Sequence, residues 1–272
     1  MGCRSYLLGL VLRWYQEENQ IDYKFYSALA DKYDRIYHYV DYKKQAVYFD
    51  TLIKTHGNSD GRKLLDICCG TGTHIQELIK LGYACVGIDS SEDMLKQARS
   101  KLPEVKFICA DMKKIEFPPN SFDVAVSCFN SILYIEDRET MCAFLKTVLS
   151  VLKPGGVFIF DTVDKKIGVN NERMNLEYQS DNLDIVFRPK WLYKQESDSM
   201  DLDISFAIKE NGEEHIINAL HKMGAFSIEE LSNILRNTGF DVVLYERNFD
   251  KLVTLKNDSL TANIVAIKHA GS

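Results

Sequence analysis

The feature of the sequence that most constrains its fold is a regular alternation of short apolar runs with helix-forming stretches between residues 63 and 161. Short strands that alternate with helices indicate βαβ units, whose parallel strands form one sheet. Because helices cover both faces of such a sheet, its strands need no alternation of polar and apolar residues. The sequence therefore predicts an α/β fold with a doubly wound parallel sheet. The predicted strands are 63–68, 84–88, 105–110, 122–128 and 157–161.

A different pattern follows residue 163. Residues 164–183 are polar and irregular, and three runs of alternating polar and apolar residues come after them. Alternation with a period of two is typical of strands with one buried face, and Asn211-Gly212 between the last two runs is a strong hairpin signal. We therefore predict an antiparallel β insertion after strand five. The alternating runs are 184–192, 200–208 and 214–223.

The chain returns to the main sheet after the insertion. Ser227 can cap a helix that Gly239 ends, and apolar runs at 240–246 and 262–268 supply two more strands. The sheet is then Rossmann-like, with seven strands that are mostly parallel. The predicted division is an N-terminal extension over 1–21, a main domain over 22–163 and 226–272, and a lid over 164–225.

The composition narrows the classes of protein to which the chain can belong. A formal net charge of -6 argues against broad contact with nucleic acid, which requires clustered Lys and Arg. The apolar run 6–12 is too short to span a bilayer, so we expect no contact with a membrane. The seven cysteines include no CxxC pair, which favours a reducing cytoplasmic location and no metal site. The amphipathic extension is compatible with a homodimer.

The most informative segment lies between the first predicted strand and the first predicted helix. It reads Leu-Leu-Asp-Ile-Cys-Cys-Gly-Thr-Gly-Thr over residues 64–73. Gly70 and Gly72 allow a tight turn and the close approach of a ligand to the backbone, at the edge of the sheet where ligands bind in such folds. Asp89 ends the second strand, where a carboxylate can accept hydrogen bonds from ribose hydroxyls. These features together predict a nucleoside or nucleotide site.

The charges around this segment discriminate between ligands. A dinucleotide-binding turn normally has a third glycine where this sequence has Ile75, and Asp66 would repel a nearby pyrophosphate. S-adenosylmethionine (SAM) carries an ammonium and a sulfonium group and no phosphate. The pattern therefore favours SAM as the cofactor over NAD or NADP.

Residues 64–72 resemble motif I of the class I SAM-dependent methyltransferases, and the resemblance covers residues 30–165 well. It implies an enzyme that transfers the methyl group by direct in-line displacement. It also implies that Asp66 lies near the methionine ammonium and that Asp89 binds the ribose. The residues expected against the cofactor in the turn itself are Cys68, Gly70 and Gly72.

Two further segments extend this resemblance along the sheet, and each of their residues also has an interpretation as ordinary packing or as part of a turn. The prediction of a cofactor site therefore depends on the joint pattern. The residues expected at the adenine are Ser90, Met94, Asp111 and Met112. The residues expected beneath the methyl donor, after strand four, are Cys128, Phe129 and Asn130.

Two features predict the acceptor side. Tyr26, Tyr33 and Tyr37 have spacings of seven and four, which place them on one face of a helix, and residues 33–37 resemble a stretch whose tyrosine reaches the SAM carboxylate in relatives. Tyr26 and Tyr33 are therefore also expected to bind the cofactor. Residues 221–227 resemble a His-Arg-x-x-x-Phe-Thr pattern of sugar-amine N-methyltransferases, with Lys222 for arginine. The candidates for catalysis are thus His221, as a base or hydrogen-bond partner, with Tyr33 and Asn130. The alternative is aromatic packing for the tyrosines and a structural role for His221.

The sequence does not identify the acceptor, and an amine, a hydroxyl and a carboxylate all remain open. The absence of an Asn/Asp-Pro-Pro-Tyr motif after strand four, and of any basic run, favours a small molecule covered by the insertion. Two other functions remain as alternatives. One is a non-catalytic protein that binds SAM or a partner, and the other is an NAD(P)-dependent oxidoreductase, for which a Tyr-x-x-x-Lys pair is lacking.

Overall fold

The computed structural model describes residues 26–27, 29–169, 172, 174–180, 182–194 and 197–271. The N-terminal extension predicted over 1–21 lies outside the described residues. Within them, no helix is long and apolar enough to cross a membrane.

The main sheet has seven strands in the order β10-β11-β5-β4-β1-β2-β3. Strands β1 to β5 are parallel neighbours, and β11 pairs antiparallel with both β5 and β10. The predicted Rossmann-like, mostly parallel sheet is therefore confirmed. Its strands are β1 Lys63–Ile67, β2 Ala84–Asp89, β3 Lys106–Cys109, β4 Phe122–Ser127, β5 Leu152–Val163, β10 Phe240–Glu246 and β11 Thr261–Lys268.

Helices cover both faces of this sheet, which explains why its central strands are apolar throughout. Successive residues of β1 enter opposite cores: Leu64 packs in one apolar cluster and Leu65 in the other. Each residue of a strand points to the face opposite its neighbour, so both faces need apolar side chains. The helices are α1 Tyr33–Ile36, α2 Tyr42–His56, α3 Thr73–Lys80, α4 Glu92–Lys101, α5 Arg138–Val151 and α6 Ile228–Thr238.

The predicted insertion is a separate antiparallel sheet in the order β6-β7-β8-β9. Asn211 and Gly212 both have positive φ, 52° and 88°, as a two-residue type I′ hairpin requires. The first strand lies within the segment predicted to be irregular, so that prediction is wrong there; β6 has only four residues, too few to show a period. The strands are β6 Leu176–Gln179, β7 Leu183–Tyr193, β8 Ser199–Glu210 and β9 Glu213–Gly224.

The start of β5 also differs from the prediction, which began the strand at residue 157, after Pro154-Gly155-Gly156. The strand begins at Leu152, and its pairing with β4 shifts register between Phe122 and Val124. Gly155 has φ +77°, so the glycines allow an irregularity inside one long strand. The apolar pattern of the sequence could not predict this earlier start, because residues 153–156 are part of the strand but are not apolar strand formers.

The three N-terminal tyrosines do not lie on one helical face, contrary to the prediction. Helix α1 has only four residues, and the chain then turns before α2, which Asp41 caps by accepting a hydrogen bond from the Lys44 amide. The rings nevertheless meet, with centroids 6.4 Å apart for Tyr26 and Tyr33 and 4.6 Å apart for Tyr33 and Tyr37. The fold of this segment over the main sheet brings them together.

Candidate active site

A cavity of about 970 Å³ lies where the carboxyl ends of β1, β2, β3 and β4 face the insertion sheet. This edge of an open α/β sheet is where ligands bind, and the volume is near the upper end of the range of about 300–1,000 Å³ for small-molecule sites. The residues that line it from the side of the main sheet are Cys68, Gly70, Asp89, Ser90, Ser91, Met94, Asp111, Met112 and Lys113.

The turn after β1 has a backbone that few residues adopt. Cys68, Gly70 and Gly72 all have left-handed φ values, 62°, 55° and 76°, and for the non-glycine Cys68 this conformation costs about 1–2 kcal/mol. Strained residues of this kind concentrate at ligand sites. The turn places the Gly70 amide beside the end of β2 and exposes its backbone to the cavity.

Asp89 connects this turn to the end of β2. Its Oδ2 accepts a hydrogen bond from the Gly70 amide at 2.8 Å, and its Oδ1 accepts one from the Ser91 amide at 2.9 Å. Burial raises the pKa of Asp89, while backbone hydrogen bonds from Ser91, Gly70 and Ser90 oppose that shift. A carboxylate has about four lone-pair positions, so Asp89 keeps acceptor capacity on the side that faces the cavity.

Asp66 lies behind the turn and not in the lining of the cavity. It is buried, and within the described residues its Oδ2 has no hydrogen-bond partner. Burial, and then the charge of Asp89, hold the pKa of Asp66 well above its usual range. Burial therefore favours the protonated form of Asp66 in the ligand-free protein, whereas a nearby cation would favour its ionised form.

The residues predicted to bind the adenine line the cavity beside the glycine turn. Asp111 caps a single 3-10 turn at Met112–Lys114 by accepting a hydrogen bond from the Lys113 amide at 2.9 Å. Met94 is buried on α4, and a Cβ added to Gly70 would lie 3.4 Å from the Met94 Cε. Ser90, Met94, Asp111 and Met112 thus line one region of the cavity, next to the turn.

Like Asp66, two further predicted cofactor residues, Gly72 and Cys128, lie outside the described lining of the cavity. A Cβ on Gly72 would lie 3.2 Å from both Ala98 and Phe107, so this glycine allows α3 to pack closely on its neighbours. Cys128 is buried, and its carbonyl accepts hydrogen bonds from the Ser131 amide and hydroxyl, at 3.3 and 2.6 Å. Both residues shape turns beside the cavity.

The turn after β4 also has a left-handed backbone, with φ of 60° at Phe129 and 58° at Asn130. The Asn130 amide donates a hydrogen bond to Asp161 Oδ1 at 3.1 Å, and Asp161 forms an ion pair with Arg247. Arg247 also donates to Asn130 Oδ1 at 3.4 Å. Phe129, Asn130 and Arg247 all line the cavity, so this network fixes its floor.

Four tyrosines border the cavity between its two walls: Tyr26, Tyr33, Tyr37 and Tyr134. The Tyr26 and Tyr134 hydroxyls are hydrogen-bonded at 2.6 Å, and the Tyr134 hydroxyl is also hydrogen-bonded to His221 Nδ1 at 2.9 Å. His221 is fully buried and lies behind these tyrosines, outside the described lining. Burial holds the pKa of Tyr33 well above its usual range, so Tyr33 is a neutral hydroxyl.

Sequence reasoning missed Asp34, which attaches the tyrosine segment to the glycine turn. Its Oδ1 accepts hydrogen bonds from Thr71 Oγ1 at 2.5 Å and from Thr73 Oγ1 at 3.1 Å. Its Oδ2 accepts one from Lys101 Nζ at 2.6 Å. The position of Asp34 in the sequence, between Tyr33 and Tyr37, was the one indication that it belongs to the site.

The insertion sheet forms the second wall of the cavity. Alternate residues of a strand share a face, and the register places Trp191 opposite Leu202 and Leu202 opposite His221. This face is apolar where it meets the cavity, and the alternation in the sequence already indicated such a face. Its lining residues are Phe187, Pro189, Trp191, Leu202, Ile204 and Met223.

Comparisons with known proteins agree with this geometry. Residues 64–156 match the methyltransferase domain family. The chain is 28% identical over 223 residues to YqeM of Bacillus subtilis (strain 168), a match that covers 80% of this chain and 87% of YqeM. It is 33% identical over 134 residues to dTDP-3-amino-3,4,6-trideoxy-alpha-D-glucopyranose N,N-dimethyltransferase of Streptomyces venezuelae, across 48% of this chain and 56% of that enzyme.

A solved structure has the same fold. The S-adenosylmethionine-dependent methyltransferase of Clostridium acetobutylicum ATCC 824 superposes with a TM-score of 0.75 at 21% identity, over 90% of this chain and 99% of that one. The likeness therefore includes the insertion sheet as well as the main sheet.

Proposed function

We propose that this chain, which belongs to the class I SAM-dependent methyltransferases, transfers a methyl group from SAM to a small molecule held between the main sheet and the insertion sheet. The observation that carries the proposal is the cavity itself. One wall has the glycine turn and Asp89, and the other is an apolar face of the insertion. Such a cavity can hold the cofactor against the glycine turn and the acceptor against the insertion sheet.

The residues present fit SAM. The free acceptor capacity of Asp89 suits ribose hydroxyls, and the exposed backbone at Gly70 suits a ligand in close contact with the turn. Met94, Asp111 and Met112 would hold the adenine, and Tyr33 is the candidate for the carboxylate. A cationic ligand would stabilise the ionised form of the buried Asp66, whereas Asp89 would repel a phosphate. The two acids therefore support a positively charged nucleoside without phosphate. When bound, SAM supplies a methyl group on a sulfonium that a nucleophile displaces directly.

The residues of the chain then position the acceptor and exclude water. Tyr26 and Tyr134 line the cavity and their hydroxyls are hydrogen-bonded to each other, so we propose that these hydroxyls orient the nucleophile. His221 contacts the Tyr134 hydroxyl and not the cavity, so we assign it as a positioning residue that acts through Tyr134. Asn130, the third catalytic candidate, is held by Asp161 and Arg247 at the floor.

A small-molecule acceptor is supported by the volume of the cavity and by the name of the Streptomyces venezuelae relative, an amino-sugar N,N-dimethyltransferase. We propose an amine as the first class to test. No described feature favours a non-catalytic role or nicotinamide chemistry over this proposal.

The proposal is tested by calorimetry with SAM and S-adenosylhomocysteine, followed by a methyl-transfer screen over amines, alcohols and acids. We expect both nucleosides to bind and at least one acceptor to yield S-adenosylhomocysteine. Binding of NAD(H) or NADP(H) with no binding of SAM would refute it. Binding of SAM with no transfer to any acceptor would leave the non-catalytic alternative in its place.

Tyr134→Phe tests the acceptor side separately. This substitution keeps the ring and removes the hydroxyl that joins Tyr26 to His221. We expect kcat/KM for the acceptor to fall by about tenfold or more and its pH profile to change, with the Kd of SAM within about twofold. Tyr178→Phe, on β6, is the matched control. An unchanged pH profile and kcat/KM would show that the hydroxyl only supports packing.

A further inference from the structure

The acceptor half of the cavity has a charge distribution that limits what can bind there. Among the residues that the structure describes, two cationic side chains line this half, Lys222 and Arg247, and each already has an acidic partner. Lys222 Nζ lies 3.3 Å from Glu136 Oε2. Arg247 is paired with Asp161, which is buried.

The remaining charge in this half is negative. Glu172 also lines the cavity, and among the described lining residues no cation offsets it. Lys113 lies in the other half, in the turn that Asp111 caps. Arg or Lys side chains that are free to neutralise a diphosphate favour its binding, and acidic neighbours repel it.

The insertion wall provides the opposite chemistry. Its lining side chains are apolar, and the register stacks Trp191 beside Leu202 and Pro189 beside Ile204 on one face. An apolar molecule that covers this wall gains about 25 cal/mol for each Å² that it removes from water. A molecule covered with hydroxyls or phosphates gains little there and loses hydration.

We propose that the acceptor is a phosphate-free molecule with an apolar body, which binds the insertion wall of Phe187, Trp191, Leu202, Ile204 and Met223, and that it is not a nucleotide-linked sugar. This inference rests on the proposed function, because the wall faces the methyl donor only if SAM occupies the glycine-turn half. It separates the chain from its Streptomyces venezuelae relative, whose name specifies a dTDP-linked amino sugar.

The test measures binding to the full chain saturated with S-adenosylhomocysteine. The probes are ω-phenylalkylamines with one to four methylene groups, and UDP-glucosamine as an amine that carries a diphosphate. We expect the Kd of the phenylalkylamines to fall about threefold to fourfold with each methylene group, as burial of one CH₂ implies. UDP-glucosamine should show no saturable binding.

Two variants locate the binding. Leu202→Ala should raise the Kd of the longest phenylalkylamine about fivefold or more, because the substitution removes part of the apolar wall. Leu220→Ala is the matched control, since Leu220 is 56% exposed on the outer side of β9. Leu202→Arg adds an unpaired cation, which repels the ammonium group of the amines, and should raise their Kd further.

The outcomes separate this inference from the proposed function. Failure of S-adenosylhomocysteine to bind would refute the proposed function itself. If the nucleoside binds, a Kd that does not depend on chain length, an absence of binding by the whole amine series, or tighter binding of UDP-glucosamine would each overturn the inference. An equal effect of Leu202→Ala and Leu220→Ala would overturn the assignment to the insertion wall.

Discussion

Two carboxylates at the glycine turn have different surroundings and different roles. Asp89 lines the cavity and accepts two backbone hydrogen bonds, whereas Asp66 is buried behind it with Oδ2 lacking a partner among the described residues. Burial raises the pKa of both. We propose that Asp89 binds the ligand and that Asp66, whose pKa burial raises, ionises when a cationic ligand is bound.

Asp89→Asn should weaken SAM binding about tenfold to a hundredfold, because hydrogen bonds to a charged group contribute about 1.5–3 kcal/mol. An asparagine also cannot accept from the Gly70 and Ser91 amides with both of its side-chain atoms. Calorimetry measures the change, with the exposed Asp93→Asn on α4 as the control. Equal SAM affinity in the two variants would contradict the role of Asp89.

Asp66 should make the ligand-free protein less stable as pH rises. Its folded pKa lies above the unfolded value, so the folded state binds more protons and stability falls between those two pKa values. We therefore expect the stability of Asp66→Asn relative to the wild type to increase as pH rises above the unfolded pKa of 3.8 towards the folded pKa, by up to about 1.4 kcal/mol per pH unit. Urea unfolding at several pH values measures this difference.

The exposed Asp60→Asn is the control for that experiment, because a surface substitution should give a difference independent of pH. A constant difference for Asp66→Asn would show that its pKa is the same in the folded and unfolded chains.

At the scale of elements, the site depends on how the segment before α2 is attached to the main sheet. Asp34 accepts hydrogen bonds from Thr71, Thr73 and Lys101, which belong to the glycine turn, α3 and α4. This contact holds Tyr33 and Tyr37 over the cavity. The ion pair between Asp34 and Lys101 is partly exposed, and such pairs contribute about 0–1 kcal/mol to stability.

Asp34→Ala should therefore affect the site more than the fold. We expect the Kd of SAM to rise several-fold while the free energy of unfolding falls by less than about 1 kcal/mol. Asp31→Ala is the control, because Asp31 pairs with Lys32 at 2.9 Å and lies away from the turn. If both variants bind SAM like the wild type, Asp34 does not hold the tyrosine segment in place.

The same elements show what the sequence could predict. The Ser227 cap is confirmed as a capping box with Glu230, and Gly239 ends α6 with φ of +113°. These signals are local, because the side chain and the backbone that it satisfies are three or four residues apart. Strand β6 was missed because its four residues have no distinctive pattern.

At the scale of the whole molecule, two sheets enclose one cavity. We propose that the insertion over 164–225 is a lid on the main domain formed by 22–163 and 226–272. On the outer side of the insertion, Ile216 is 73% exposed and Leu220 is 56% exposed. The predicted homodimer would bury such a surface. Light scattering measures the oligomeric state.

Binding of S-adenosylhomocysteine should protect the cavity edge from hydrogen exchange. We expect slower exchange at residues 68–72, 89–91 and 111–114, because a ligand at 100 times its Kd stabilises the folded protein by about 2.7 kcal/mol relative to states that cannot bind it. The hairpin at Asn211-Gly212, remote from that edge, serves as the internal control. Protection of the hairpin without protection of the edge would place the ligand elsewhere.

The sequence by itself determined the order of strands and helices, the glycine turn, the caps and the hairpin. Each of these depends on a local period or on a backbone angle that neighbouring residues specify. Only the tertiary structure decided that Tyr134 meets His221, 87 residues away, that Asp34 attaches to the glycine turn, and that Arg247 is neutralised by Asp161. Those contacts join common side chains across long separations in the chain, and no spacing rule relates them. They arise because the sheet brings the ends of its strands to one edge and the insertion folds over that edge.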